Sequence, residues 1–157
     1  MNIDILAIGK TDSSQVEALL GDYLRRLNFY AKVTWTVLPD PKNRRTLSAD
    51  TQKRQEGELI LKQLSEGDWL VLLDEKGKEM RSMEFADWMQ KRMNSGVKRL
   101  CFVIGGPYGF SKAVYNRANE LLSLSRMTFS HQIVRVLFAE QLYRAFTIIR
   151  NEPYHHE

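Results

Sequence analysis

Three short stretches hold the residue types and spacings that suit chemistry. IGGPYG (104–109) puts three glycines within five residues, directly after an apolar run. Glycine there lets a backbone turn sharply or come close to another group. LDEKGKE (73–79) follows a second apolar run and places the adjacent carboxylates Asp74 and Glu75 ahead of Gly77. LSLSRMTFS (122–130) alternates small hydroxyl residues with apolar ones. None of the three is a phosphate-binding fingerprint, since GGPYG is not G-x-G-x-x-G and no G-x-x-x-x-G-K-[ST] occurs. Asp74 and Glu75 suit acid or base work, although adjacent carboxylates in a turn are mostly solvated. Histidines 131, 155 and 156 lack metal-ligand spacing, so no metal is expected. A Cys101–His131 nucleophile pair is imaginable, but a cysteine inside a buried strand is usually inert packing. Pattern alone leaves IGGPYG equally open as structural turn and as ligand loop, and it names no reaction.

Positioning such loops is the work of the flanking elements. Four apolar, β-rich runs stand out: Ile3–Ile8, Val33–Leu38, Trp69–Leu73 and Leu100–Ile104. The second alternates like a half-exposed strand, and the last two are nearly continuous, like strands buried on both faces. Helical spacing predicts helices over about 13–27, 51–64, 82–93 (with Ser82 capping its start) and 111–122. Strands alternating with helices argue for an α/β fold with a largely parallel sheet flanked by helices. In such sheets ligands collect beyond the carboxyl ends of the strands. LDEKGKE and IGGPYG then border one crevice if their strands are neighbours. The last helical segment, 131–150, is apolar around most of its circumference, interrupted by Arg135, Glu140, Gln141 and Arg144. Such a helix is central to the core or shared with a partner, and a homodimer interface is a reasonable inference.

Bulk properties set limits. A chain of 157 residues, 43% hydrophobic and 27% charged, reads as one ordinary globular domain with a sizeable core. No apolar run is long enough to span a bilayer, and the start does not read as a signal peptide. A single cysteine predicts a reducing, cytoplasmic setting with no disulfide framework. The net charge of +4 and pI of about 9.2 are compatible with an RNA partner but common without one. PKNRR (41–45), inside a long surface loop, and KR at 53–54 are the densest basic clusters.

Longer motifs decide what spacing leaves open. IGGPYG, the ordered set LSRMTFSHQ, RVLFAEQLYRAF and PYH, together with ILAIGK, YLRRL and LDEKGK, run through nearly the whole chain. The sequence resembles the RlmH family, small bacterial SPOUT methyltransferases that modify N3 of a pseudouridine in 23S ribosomal RNA. The resemblance implies a single domain over 1–157 whose C-terminal part, about 100–150, forms a trefoil knot. It further implies a homodimer that binds S-adenosylmethionine at the knot, largely through backbone groups. Carried over by position, the cofactor site comprises Leu73, Gly105, Gly106, Leu124, Ser125, Arg126, Met127, Thr128 and Phe129. Gly105 and Gly106 are expected to face the ligand. Ser130 stands where the family commonly has proline, and a serine there can cap the next helix.

The resemblance also frames the reaction. Tyr154 and His155 of the tail are the candidates for contacting the base, released by Pro153, which breaks the helix. Arg144 or Arg135 would stabilise negative charge or bind RNA phosphate, against the plainer reading that Arg144 pairs with Glu140. The implied target is the helix 69 loop of the assembled ribosome; the basic 41–45 loop and the tail residues are expected to supply contacts to its backbone. Two rivals keep part of this: a SPOUT enzyme acting on tRNA, and a non-enzymatic ribosome-binding factor.

Overall fold

The aliphatic runs assemble into one five-stranded sheet in the computed structural model, which describes residues 1–156. The strands are β1 (Asn2–Ile8), β2 (Val33–Leu38), β3 (Trp69–Glu79), β4 (Arg99–Ile104) and β5 (Glu120–Ser123). The helices are α1 (Ser14–Leu27), α2 (Ala49–Lys62), α3 (Ser82–Asn94), α4 (Lys112–Arg117) and α5 (Ile133–Ile149). All pairings are parallel, in the order β2-β1-β4-β3-β5.

Side-chain alternation on β4 explains the layering. Leu100, Phe102 and Ile104 enter the core shared with α1, α3 and α5, around Phe138, Leu142 and Phe146. Cys101 and Val103 point the other way, into a core completed by Ile60 of α2 and Val114 of α4. Both sheet faces are thus covered, as the continuous apolar run requires. The Cys101 thiol is buried there, which pushes its pKa up to about 12 and makes it inert packing. Ser13 and Ser48 cap α1 and α2 by accepting from Val16 N–H (3.4 Å) and Thr51 N–H (3.2 Å).

Three expected boundaries are corrected. The acid-rich stretch read as a loop after Leu73 stays in strand to Glu79. A register shift lets Leu122 pair with both Leu73 and Lys78. The helix expected to reach residue 122 ends at Arg117, because Ala118 turns to extended backbone (ψ 138°) and 120–123 joins the sheet instead. Asn119 locks that change by pairing with Leu70 through its N–H (2.9 Å) and its Oδ1 (2.8 Å). Ser82 is the first helical residue of α3 rather than its cap. Arg81 holds the cap position with its N–H on Glu84 Oε2 (2.7 Å), and Ser82 Oγ donates to Gln141 (2.9 Å).

Helix α5 lies across both α1 and α3 and buries Phe138, Ala139, Leu142, Ala145 and Phe146, so its apolar circumference serves the core. Gln132 holds the cap position of α5, and Ser130, two residues ahead of it, accepts from the first helical N–H, that of Ile133, at 3.1 Å. No helix among the described residues is long and apolar enough to cross a membrane.

Candidate functional site

The middle of β3, at Leu73, pairs beside the carboxyl end of β4 at Ile104, and the segment after β5 folds over them. Together they enclose a cleft of about 520 Å³. Leu73 lines it from within β3, and Gly105 and Gly106 from just beyond β4. Leu124, Ser125, Met127, Thr128 and Phe129 line it from the third loop. Of the expected cofactor residues only Arg126 lies outside the lining, its side chain 90% exposed and paired with Glu79 at 3.1 Å. The third loop is shaped by its own hydroxyls. Ser123 Oγ donates to the Ser125 carbonyl (3.0 Å), and Ser125 Oγ accepts from Met127 N–H (2.9 Å). Met127 is left 76% exposed and Tyr108 54%, apolar groups at the cleft that an aromatic ligand would cover.

The glycines have a dual answer. Gly109 sits at φ +79° and closes a tight turn, its N–H on the Gly106 carbonyl at 3.3 Å. Gly105 and Gly106 do line the cleft, yet the space a Cβ would take belongs to protein. At Gly105 it would lie 3.0 Å from the Phe110 ring, and at Gly106 only 2.6 Å from Glu56 Oε1. Glu56 itself is buried in α2, which raises its pKa; the hydrogen bond from Gln52 Nε2 (3.0 Å) opposes that shift. Sequence reasoning missed Glu56, whose one signal was its place four residues before the buried Ile60. It also missed Tyr115, which donates to Asp74 across the cleft wall. Burial first, then that carboxylate, pushes Tyr115 up to about 12. Asp74 also accepts from Lys76 N–H (2.8 Å), so it is engaged in shaping the loop.

Residues 1–155 match the family described as "Predicted SPOUT methyltransferase". The chain belongs to the SPOUT methyltransferase family. Its relatives include a protein of Flavobacterium johnsoniae named "Ribosomal RNA large subunit methyltransferase H", 58% identical over 157 residues and covering 100% of both chains. Proteins of the same name from Christiangramia forsetii and Bacteroides thetaiotaomicron are 56% and 54% identical, covering 99% and 100% of both chains. Among solved structures, a probable methylase family protein from Haemophilus influenzae Rd KW20 superposes with a TM-score of 0.53 at 14% identity. That match covers 96% of this chain and 66% of the other. A probable methyltransferase from Bordetella pertussis Tohama I gives 0.52 at 11% identity, covering 92% and 96%. At those identities the likeness is one of fold.

The SPOUT chain keeps its tail candidates apart from the cleft, because Arg144, Tyr154 and His155 do not line it. They form a cluster at the end of α5. Arg144 pairs with Glu140 (2.5 Å), lies 4.7 Å over the Tyr154 ring, and reaches His155 Nδ1 at 3.3 Å. Tyr154 OH donates to Glu140 (3.0 Å); burial, with hydrogen bonds to Tyr23 and Glu140, holds its pKa above the ordinary range. His155 Nε2 is buried without a partner among the described residues. Arg135, weighed for binding phosphate, is instead fully buried. Its guanidinium donates to the carbonyls of Ile8 (2.7 Å), Gly9 (2.9 Å) and His131 (2.9 Å), and burial lowers its pKa. No group of three or more potential metal ligands occurs among the described residues.

Proposed function

We propose that this chain is an S-adenosylmethionine-dependent ribosomal RNA methyltransferase that methylates N3 of a pseudouridine in the helix 69 loop of 23S rRNA. Its setting is the cytoplasm and its substrate the assembled ribosome. The observation that carries the reading is one cleft, built between the middle of β3 and the carboxyl end of β4, in a SPOUT chain whose full-length relatives bear a large-subunit rRNA methyltransferase name. The cleft's chemistry fits the donor. Leu73, Leu124, Met127 and Phe129 offer apolar surface for an adenine, and the turn 105–109 and the loop 124–128 offer backbone polar groups for its edge. Residues 100–150 form the knot that brings these loops together.

When bound, S-adenosylmethionine supplies an electrophilic methyl group carried on a sulfonium. The chain's part is to hold N3 in line with that methyl, which in well-aligned intramolecular models is worth roughly 7–11 kcal/mol. N3 must also lose its imide proton, and a placed base adds about 10²–10⁴-fold. Tyr154 and His155 contact the base and Arg144 offsets its developing negative charge. They reach the cleft from the tail of a second copy in a homodimer, since on one chain they lie apart from it.

The test is methyl transfer from labelled S-adenosylmethionine to ribosomes, subunits and bulk tRNA from a strain lacking the gene. Label at the helix 69 pseudouridine is the expected result. Label in tRNA alone would keep the pocket and overturn the target. No transfer and no donor binding would leave a ribosome-binding factor.

A further inference from the structure

Helix α2 takes no part in lining the cleft, yet it presses on IGGPYGFS at two points. A Cβ at Gly57 would lie 2.5 Å from Ser111 Oγ and 3.1 Å from Val114, so α2 docks directly on the start of α4. One residue earlier, Glu56 presents its carboxylate to Gly106. A Cβ there would meet Oε1 at 2.6 Å, Oε2 at 2.7 Å and Cδ at 2.9 Å. An exposed carboxylate would swing aside from such an intrusion. Glu56 is only 2% exposed and is held by Gln52, itself 3% exposed, at 3.0 Å. A carboxylate is also an expensive filler for a core position that leucine would occupy without desolvation. Its place against the one turn that lines the cleft therefore calls for an account beyond packing.

We propose that Glu56 is a positioning residue for donor binding: it buttresses the 105–109 turn from behind, and residue 106 is glycine because the Glu56 carboxylate fills its side-chain space. This rests on reading the cleft as the S-adenosylmethionine site. It differs from the expectation that Gly106 is bare to let the donor approach, and the two make opposite forecasts for a double-mutant cycle.

The cycle uses the full chain: wild type, Glu56→Ala, Gly106→Ala and the double variant, each titrated with S-adenosylmethionine by calorimetry and melted without it. Gly106→Ala in the wild-type background is expected to weaken donor binding by about tenfold or more, through displacement of Glu56. In the Glu56→Ala background the same change is expected to cost less than about threefold, because the space is vacant. A second cycle with Glu56→Asp, which withdraws the carboxylate by one methylene, covers the case in which the alanine variant does not fold. Glu56→Gln, which keeps the shape, should retain donor affinity better than Glu56→Ala at comparable melting temperature. An equal loss from Gly106→Ala in every background overturns the proposal and assigns Gly106 to the donor. Loss of melting temperature with unchanged donor affinity also overturns it, leaving Glu56 a packing residue. Failure of the wild type to bind S-adenosylmethionine overturns the donor reading itself, a result separable from either.

Discussion

Arg135 illustrates how a single side chain reads differently in sequence and in space. On an apolar helix a lone arginine suggests a ligand for anions. In the folded chain its planar fork ties α5 to the carboxyl end of β1, through Ile8, Gly9 and Thr11. Replacing it removes donors from carbonyls that have no water to turn to, at about 1–3 kcal/mol for each buried group left unpaired. Arg135→Met, which roughly keeps the volume, is expected to destabilise the protein by about 3 kcal/mol or more. Arg135→Lys should recover only part, since an ammonium cannot reproduce the fork. Urea unfolding midpoints check both; an unchanged midpoint for the methionine variant would contradict the structural role. The tail shows the same ambiguity. Tyr154 and His155 were legible as candidates only through resemblance, and their contacts with Glu140 and Arg144 needed the fold.

At the scale of elements, β3 and β5 form the least legible part of the molecule. Asp-Glu-Lys-Gly-Lys-Glu has the composition of a turn, and local propensity favours a loop there. The strand continues because β5 supplies a partner. Glu120 anchors the start of that partner by accepting from Trp69 Nε1 (3.1 Å) and Trp88 Nε1 (2.9 Å). Gly77 is the residue that permits the crossing, for a Cβ there would lie 2.5 Å from the backbone N and C of Leu122. Backbone cannot swing aside as a side chain can. Gly77→Ala is expected to cost roughly 2 kcal/mol or more and to speed amide exchange in β5. Because β5 leads directly into the 124–130 loop, the same variant should weaken donor binding. Thermal unfolding with hydrogen exchange tests the first effect and calorimetry the second. Normal exchange in β5 would show that the register shift does not need this glycine.

For the whole molecule, the proposed function asks how a 157-residue chain of net charge +4 would engage a large RNA. The 41–45 loop follows β2, whose carboxyl end shares the cleft's side of the parallel sheet. Arg44 there is tied to Asp40 at 3.1 Å, an exposed pair worth little on its own and open to exchange for phosphate. Neutralising Arg44 and Arg45 together is expected to lower ribosome affinity without sequence preference and to reduce the salt slope by about 1–2. Filter binding over a range of potassium chloride concentrations measures this. An unchanged slope would move the contact off the loop.

Composition and periodicity by themselves determined the alternation of strands and helices, the parallel sheet, the buried Cys101 and the glycine turn at 104–109. These follow from local rules: side-chain alternation, cap chemistry and the turn needs of glycine. The ordered motifs added the family. Only tertiary structure decided that 74–79 and 120–123 are strands, because 120–123 pairs along β3 from Val71 to Glu79 and neither pattern carries the signal alone. Tertiary structure also showed what stands beside the glycines. A sequence shows that a side chain is missing, and only packing shows that Phe110 and Glu56 fill the space it leaves.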